Sequence, residues 1–470
     1  MNNNHNDQGN GRDIQRKAAI EALAALLGER LITSEAVRVQ HADDPTWNEA
    51  QPADAVAVAA SEGEVAEIVR ICAEHAMPVI PYGAGTSLEG HIAAPHGGVC
   101  LDLSQMNGII EVNAGDMDCR VQPGVTRQQL NSYLRDTGLF FPVDPGAEAT
   151  LGGMASTRAS GTNAVRYGTM ADNVLNMRVV TASGEVISTA SRARKTASGY
   201  DLTRLFIGAE GTLGVITELT LKLRGIPEVI EAGVCVFPAL ENACETVMET
   251  IQMALPVARI ELLDETMVGM VNAHSGLGMA EKPTLFLEFH GSPECLREQR
   301  EVFSALAADH GGEMGEWARH EEERNRLWRA RHEAFWAASE AFPGMEVMST
   351  DVCVPISRLA ECVVETQRDL REHGLVGPIV GHVGDGNFHV LLAAAPGDEE
   401  QKARIAAFSG RLVERALSMG GTCTGEHGIG LGKLKYMEKE HGAALEVMRA
   451  VKRALDPLNI MNPGKLVPGV

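Results

Sequence analysis

The sequence predicts an α+β protein in two parts, and three observations carry that expectation. From about Ala55, short apolar strands alternate with helices. Near Gly225-Ile226-Pro227 this rhythm breaks, and strands then alternate with long helices, the pattern of an antiparallel sheet with helices on one face. Glycine-rich segments stand beside strands at three places in the first part, where backbone approaches something closely.

Taken in order, VAVAAS is a strand, EVAEIVRICAEHA a helix, and PVIPYGAG a strand entering a glycine-rich loop. VCLDLS and IIEVN continue as strands, and TRQQLNSYLRDTGL is a helix with Thr126 as its N-cap. A Gly/Thr/Ser-rich stretch runs from Asp144 to Gly168. The strands of NMRVVTASGEVIS, turned at Ser183-Gly184, and GVITELTLKLR follow. Beyond the break come VIEAGVCVF, the helix ENACETVMETIQMAL, ARIELLD, TLFLEFH, the helix PECLREQREVFSALAADH and VMSTDVCVP. The chain closes with a helix from about Ala444 to Ala454 and the tail NIMNPGKLV.

At 470 residues the chain has room for two or three domains, each with its own core. A composition of 44% hydrophobic and 22% charged residues is that of a soluble globular protein. The net charge of −22 argues against nucleic acid and against a basic membrane-surface patch. An anionic substrate would therefore need a local cationic pocket. No apolar run reaches the ~18 residues of a transmembrane segment. The start MNNNHNDQGNGRDIQRK lacks the apolar core of a secretion signal. Residues 1–12 are expected as a disordered tail, and a helix from Asp13 carries Ile14, Ala18, Ala22 and Leu26 on one stripe. Nine cysteines without a CxxC pair suggest reduced thiols in a cytoplasm and give no iron–sulfur signature.

The densest chemistry lies in GHVGDGNFH, where His382 and His389 bracket Gly-Asp-Gly-Asn. Asp385-Gly386 favours a two-residue hairpin turn with positive φ at both positions. Such a turn sets Gly384 opposite Asn387, Val383 opposite Phe388 and His382 opposite His389, with Cβ atoms roughly 5 Å apart. Farther on, GTCTGEHGIG offers Glu426 and His427. A carboxylate joining two imidazoles resembles the ligand set of a catalytic metal with open positions.

Of the glycine-rich segments, PYGAGTSLEGH (Pro81 to His91) suits an anion nest, yet matches neither a Walker loop nor GxGxxG. DPGAEATLGGMASTRASGTNAVRYGT suits close approach by another backbone or a flat ligand, and GAEGTLGVIT places glycines directly before a strand. Three such segments favour a large phosphate-bearing cofactor.

These motifs, with STDVCVPIS and NPGK, resemble the FAD-linked oxidoreductases of the vanillyl-alcohol-oxidase type, over about Gln40 to Leu466. Within them the chain is most similar to the cytochrome-type D-lactate dehydrogenases and the glycolate oxidase catalytic subunit. The resemblance implies a two-part FAD-binding domain of the PCMH type (13–226 and 445–470) with an inserted antiparallel-sheet cap, or substrate, domain (227–444). It also implies that Pro81, Tyr82, Gly83, Ala84, Gly85, Thr86 and Ser87 cradle the pyrophosphate. Pro145, Gly146, Thr150, Gly153, Ser156, Gly161, Ala164 and Tyr167 would line the isoalloxazine and ribityl chain. Glu210, Gly211, Gly214 and Ile216 would approach the flavin or its adenosine end, and Asn462 the ring edge. His382, His389 and Glu426 become ligands to a divalent cation, His427 the general base, and Arg331 the clamp for a substrate carboxylate. From the residues alone, Arg331 belongs with Arg324, Arg326 and Arg329 to a solvated helix face. Metal identity stays open among zinc, manganese and iron.

The implied activity is oxidation of D-2-hydroxy monocarboxylic acids, D-lactate first, to 2-oxo acids, with hydride passing to flavin N5. Arg331 suits the carboxylate, the cation the hydroxyl, and His427 its proton. Electrons leave to a separate acceptor: a cytochrome, a quinone or an electron-transfer flavoprotein. No nicotinamide domain is evident, and the oligomeric state is not readable from the sequence, a homodimer being one option since dimers are common among soluble enzymes. Two departures stand out. His91 replaces a glycine common in relatives, where a packed or surface imidazole is expected ahead of a covalent link to the flavin. Phe335 and Ser349 match positions that bind a distal carboxylate in D-2-hydroxyglutarate enzymes, so an apolar Phe335 favours a monocarboxylate. The alternatives are glycolate oxidation within a complex, D-2-hydroxyglutarate oxidation, non-redox FAD chemistry, and a flavin-binding subunit without activity.

Overall fold

The computed structural model describes residues 4–46 and 49–470, with side chains from Asp13 onward. The chain divides into two units. One comprises residues up to Ala159, Thr169–Gly225 and His427–Val470; the other comprises Ser160–Gly168 and Ile226–Glu426. The insertion therefore begins at Ile226, beside the expected Pro227. The return falls at His427, well before the expected Leu445. The cause is hydrogen bonding: Ile429 and Gly430 N–H groups donate to Glu210, and Leu431 N–H to Glu89 O, all within the first unit. The helix Ala444–Leu455, which marked the expected return, follows later and adds Val451 and Leu455 to a core of that unit.

The opening helix spans Asn4–Leu27, so residues 4–12, expected as a tail, are helical; residues 1–3 lie outside the described residues. In the first unit, Ser61 caps the helix Glu62–Glu74, whose Val65, Ala66, Ile68, Val69 and Cys72 are buried together. A four-stranded sheet runs in the order Leu31–Ile32, Ala55–Val58, Val99–Asp102, Val79–Tyr82, with the last three parallel. A five-stranded antiparallel sheet runs Ile109–Asn113, Asp118–Val121, Gly214–Lys222, Val174–Thr181, Val186–Ser188. Thr126 caps the helix Arg127–Leu134, and the turn at Gly184 forms as expected, with φ +75°.

The second unit is built on an antiparallel sheet. Its path is Glu313–Met314, Val229–Val236, Thr284–Gly291, Val257–Leu263, Ile379–Gly381, Asn387–Ala394, Glu346–Ser349, with Val352–Cys353 also pairing Asn387–Ala394. Helices cover both faces, not one as expected. Phe289 packs on Phe303 of the helix Pro293–Asp309, whereas Phe286, three positions away and on the opposite face, packs on Trp328 of the helix Glu321–His332. The largely apolar run TLFLEFH is what a doubly covered strand requires, and every residue of it is buried.

The hairpin carrying the histidines also differs from expectation. Val380, not His382, pairs with His389. The loop is Val383–Gly386: Val383–Asp385 form a helical turn and Gly386 alone takes positive φ, +79°. Asp385 is thus right-handed, and the connection is a four-residue loop in place of a two-residue turn. A shift of two positions keeps both histidines on one face, since side chains alternate with period two. No described helix is long and apolar enough to cross a membrane.

Candidate functional site

In the second unit His382, His389 and Glu426 converge, one ligand atom of each lying within 4.8 Å of the others. The imidazole centroids are 5.6 Å apart and nearly perpendicular, and both Nε2 atoms lie 3.2 Å from Glu426 Oε1. Their Nδ1 atoms are already engaged: His382 with the Glu261 carboxylate at 2.8 and 3.0 Å, His389 with Thr350 O at 2.9 Å. That arrangement fixes each ring with Nε2 toward Glu426, as in histidines oriented for a metal by a partner on the far nitrogen. Burial works to raise the Glu426 carboxyl, but the charges and hydrogen bonds of His382 and His389 hold it well below the ordinary carboxylate range. Burial likewise lowers His382, and Glu261 and Glu426 outweigh it, raising His382 well above the usual imidazole value. The donor set therefore fits a divalent cation: two neutral-capable nitrogens, one carboxylate, and local negative charge to receive it.

Two residues that build this group carried no role in the sequence reading. Asp351 Oδ2 accepts the N–H groups of Gly425 at 2.8 Å and Glu426 at 3.0 Å and the Thr424 hydroxyl at 2.6 Å, which sets the backbone beneath Glu426. Glu261, on the strand Val257–Leu263, reaches His382. The motif STDVCVPIS contained Asp351 but gave no spacing that named it. Gly384 is tight for packing reasons: a Cβ there would meet Ile260 Cγ2 at 2.6 Å and Val165 Cγ2 at 2.8 Å.

Arg331 is buried, 8% exposed, whereas Arg326 and Arg329 of the same helix face solvent. The solvated face is theirs. Arg331 Nη2 donates to Glu261 Oε2 at 2.5 Å, and its Nε is buried with no hydrogen-bond partner among the described residues. A buried donor without a partner costs about 1–3 kcal/mol, which an incoming carboxylate would recover. Phe335 packs against the apolar cluster around Trp328.

In the first unit the expected cofactor residues gather only in part. Pro81–Ser87 lead out of the strand Val79–Tyr82. A Cβ on Gly83 would overlap Thr150 Oγ1, one on Gly85 would meet the Tyr82 hydroxyl at 2.5 Å, and one on Gly211 would meet Pro81 Cγ at 2.9 Å. Ala84, Thr86 and Ser87 are partly or fully exposed. Thr150 caps the helix Leu151–Thr157, which holds Gly153 and Ser156, and Ser156 O accepts Glu210 N–H at 2.9 Å. Asn462 Nδ2 donates to Glu210 O at 2.7 Å and His91 O at 3.3 Å. Glycine at 83, 85 and 211 thus allows close packing about Thr150, Tyr82 and Pro81, and the accessible Ala84, Thr86 and Ser87 beside them fit the approach of a dinucleotide phosphate.

The other expected residues have these surroundings. Gly161, Ala164 and Tyr167 belong to the second unit, where the Tyr167 hydroxyl lies 2.7 Å from His290 Nδ1. Gly214 and Ile216 are in the five-stranded sheet, Gly214 against Val179 and Ile216 in the core. Pro145 and Gly146 lie in an irregular stretch, and nothing crowds Gly146. Glu210 turns its carboxylate to the N–H groups of Ile429 (2.7 Å) and Gly430 (2.8 Å), with His91 Nε2 at 3.3 Å. Its side chain thus anchors the segment that follows half-buried His427, and of the packed and surface alternatives His91 takes the packed one.

A cradle for a dinucleotide and a cation group beside a buried arginine are what a flavin-dependent oxidoreductase acting on a small acid requires. Family models for the "FAD binding domain" and "FAD linked oxidases, C-terminal domain" match residues 53–190 and 226–466. The chain is 51% identical over 443 residues to a probable mitochondrial D-lactate dehydrogenase of Danio rerio, covering 93% of this chain and 89% of the relative. It is 48% identical over 416 residues to the mitochondrial D-lactate dehydrogenase (cytochrome) of Arabidopsis thaliana, covering 88% and 73%. The solved structure of p-cresol methylhydroxylase with substrate bound shares the fold, with a TM-score of 0.80 at 20% identity over 96% of both chains. The chain belongs to the FAD-linked oxidases.

Proposed function

We propose that the protein is an FAD-dependent dehydrogenase that oxidises D-2-hydroxy monocarboxylic acids, D-lactate foremost, to 2-oxo acids. The observation that carries this is Arg331 beside the cation group: a buried guanidinium with a partnerless Nε, joined through Glu261 to His382. A carboxylate and an adjacent hydroxyl are the two functions such a site recognises. The similarity to relatives named D-lactate dehydrogenases supports the same substrate.

Arg331 presents its free Nε–H to the substrate carboxylate while Nη2 stays on Glu261. His382, His389 and Glu426 would hold zinc, manganese or iron, and such a cation lowers the pKa of a hydroxyl bound to it. His427, next in the chain after Glu426, takes the hydroxyl proton. Phe335 offers an apolar surface to a short side chain and no partner to a second carboxylate. Pro81–Ser87, Thr150, Gly211 and Asn462 would hold FAD, which supplies the two-electron acceptor. Electrons then pass to a separate protein or quinone; the name of the Arabidopsis relative favours a cytochrome. A reducing compartment fits nine cysteines of which none forms a disulfide, and both relatives are named mitochondrial.

The test is an anaerobic visible spectrum of the FAD-loaded protein with D-lactate and with L-lactate. Bleaching by the D enantiomer alone is expected, and its loss after chelation and return with added cation would assign the histidine pair. A flavin band that stays oxidised with both enantiomers would refute the substrate.

A further inference from the structure

Glu261 is the acid of the second unit with the most telling neighbours. It is 1% exposed and sits on the strand Val257–Leu263. That strand pairs antiparallel with Ile379–Gly381, Leu262 opposite Gly381. One further step of the same register brings Glu261 opposite His382. Its Oε1 and Oε2 lie 2.8 and 3.0 Å from His382 Nδ1, and Oε2 also accepts from Arg331 Nη2 at 2.5 Å. Burying a carboxylate this deeply is unfavourable by several kcal/mol unless charges and hydrogen bonds offset it, and an apolar residue would serve a sheet interior as well or better. Both groups that offset it here are the ones assigned above to cation and substrate.

We propose that Glu261 is the positioning residue that couples the cation site to the carboxylate clamp. It holds the His382 ring with Nε2 toward Glu426, and through the same carboxylate it fixes the guanidinium whose Nε awaits the substrate. Because Arg331 reaches Glu261 through Nη2 only, the substrate carboxylate joins the arginine without displacing Glu261. The two binding events thereby share one anchor. This inference rests on the roles proposed for His382 and Arg331.

The experiment uses the full-length, FAD-loaded protein and reads cation affinity apart from turnover. Zn²⁺ and Mn²⁺ dissociation constants are measured by competition with a chelator, without substrate, for wild type, Glu261→Gln, Glu261→Asp and His389→Ala. Glu261→Gln is expected to weaken cation binding about 10–100-fold, the range for loss of a partner that orients a ligand histidine. The KM for D-lactate is expected to rise on the order of tenfold and to stay raised at saturating cation, because Arg331 loses its anchor as well. Glu261→Asp, which keeps the charge but shortens the reach, should fall between, and it carries the test if the glutamine variant does not fold. Glu288→Gln is the control. This buried acid of the same sheet faces His290 and Arg259, so its loss should leave cation affinity within about threefold of wild type even if stability drops.

Wild-type affinity and KM in Glu261→Gln would overturn the proposal. So would weakened cation binding with an unchanged KM at saturating cation, which would leave no coupling. If wild type binds no cation beyond what His389→Ala binds, this proposal and the cation site fail together. If wild type binds cation but D-lactate leaves the flavin oxidised, the substrate assignment fails separately, and unchanged cation affinity in Glu261→Gln still overturns the proposal.

Discussion

Replacing Asp351 by Asn asks whether the cation group is held from behind. Asp351 is 1% exposed, and its carboxylate accepts from Asn387 Nδ2 at 2.7 Å, Thr424 Oγ1 at 2.6 Å, Gly425 N at 2.8 Å and Glu426 N at 3.0 Å. Asn has nearly the same shape, so no cavity forms and the loss is electrostatic. If the amide oxygen keeps the three donors from residues 424–426, its NH2 must face the NH2 of Asn387. That group also donates to Val352 O at 2.8 Å and cannot turn away without losing the bond. Removing the charge takes about 1 kcal/mol from each retained bond, and the opposed donors add about 1–3 kcal/mol. The expected loss is therefore on the order of 4 kcal/mol, read by chemical unfolding of the FAD-loaded protein. Because Glu426 N is one of these donors, chelator competition should show Zn²⁺ affinity falling at least about tenfold. A destabilisation under about 1 kcal/mol with wild-type Zn²⁺ affinity would refute the argument that Asp351 organises the ligand loop.

Three further outcomes are expected. Asp264, buried at the N-cap of the helix Glu265–Ser275, has its carboxyl pushed by burial from 3.8 to about 7, so the folded state holds this proton more tightly than the unfolded chain. That contribution is full at low pH and is lost as pH rises from about 4 to 7. Asp264→Asn should therefore be more stable than wild type at pH 8 by about 2 kcal/mol or more, with the gain vanishing near pH 4; an equal gain at both pH values would contradict it. Arg331→Lys cannot reach both Glu261 and a substrate carboxylate, so kcat/KM for D-lactate should drop on the order of 100-fold with the flavin spectrum unchanged, and a drop below about threefold would remove Arg331 from the clamp. In Gly386→Ala, φ of +79° and a Cβ directed into the Val354 carbonyl oxygen should destabilise by about 2–4 kcal/mol, whereas Asp385→Ala, right-handed at that position, should be tolerated within about 1 kcal/mol.

The convergence of His382, His389 and Glu426 is legible because these residues lie close in sequence or within short, unusual motifs, and because a register shift of even length keeps both histidines on one face. The groups that orient the triad were not legible. Glu261 lies 121 positions from His382 and 70 from Arg331, and no local periodicity links such partners. Arg331 read as part of a solvated arginine face until the resemblance singled it out, since helix periodicity alone does not say which side meets a sheet. Glu210 shows the converse limit of motif matching. Its position was placed at the flavin, while its carboxylate direction depends on the Ile429 and Gly430 N–H groups, brought near only when the chain returns.

The distribution of charge supports the cation proposed above between His382, His389 and Glu426. Asp351 accepts from Asn387, Thr424, Gly425 and Glu426, and Glu261 from a guanidinium beside an imidazole Nδ1. Glu426 faces two imidazole Nε2 atoms whose opposite nitrogens are engaged, so the rings cannot turn to offer it anything else. The strong upward pull on His382 expresses the same excess of negative charge, drawn from Glu261 and Glu426 together. A divalent cation held by His382, His389 and Glu426 would neutralise it as well, and would lower the pKa of a hydroxyl bound to it. That asymmetry, more than the presence of any one ligand, makes the second unit read as a site for a hydroxy acid.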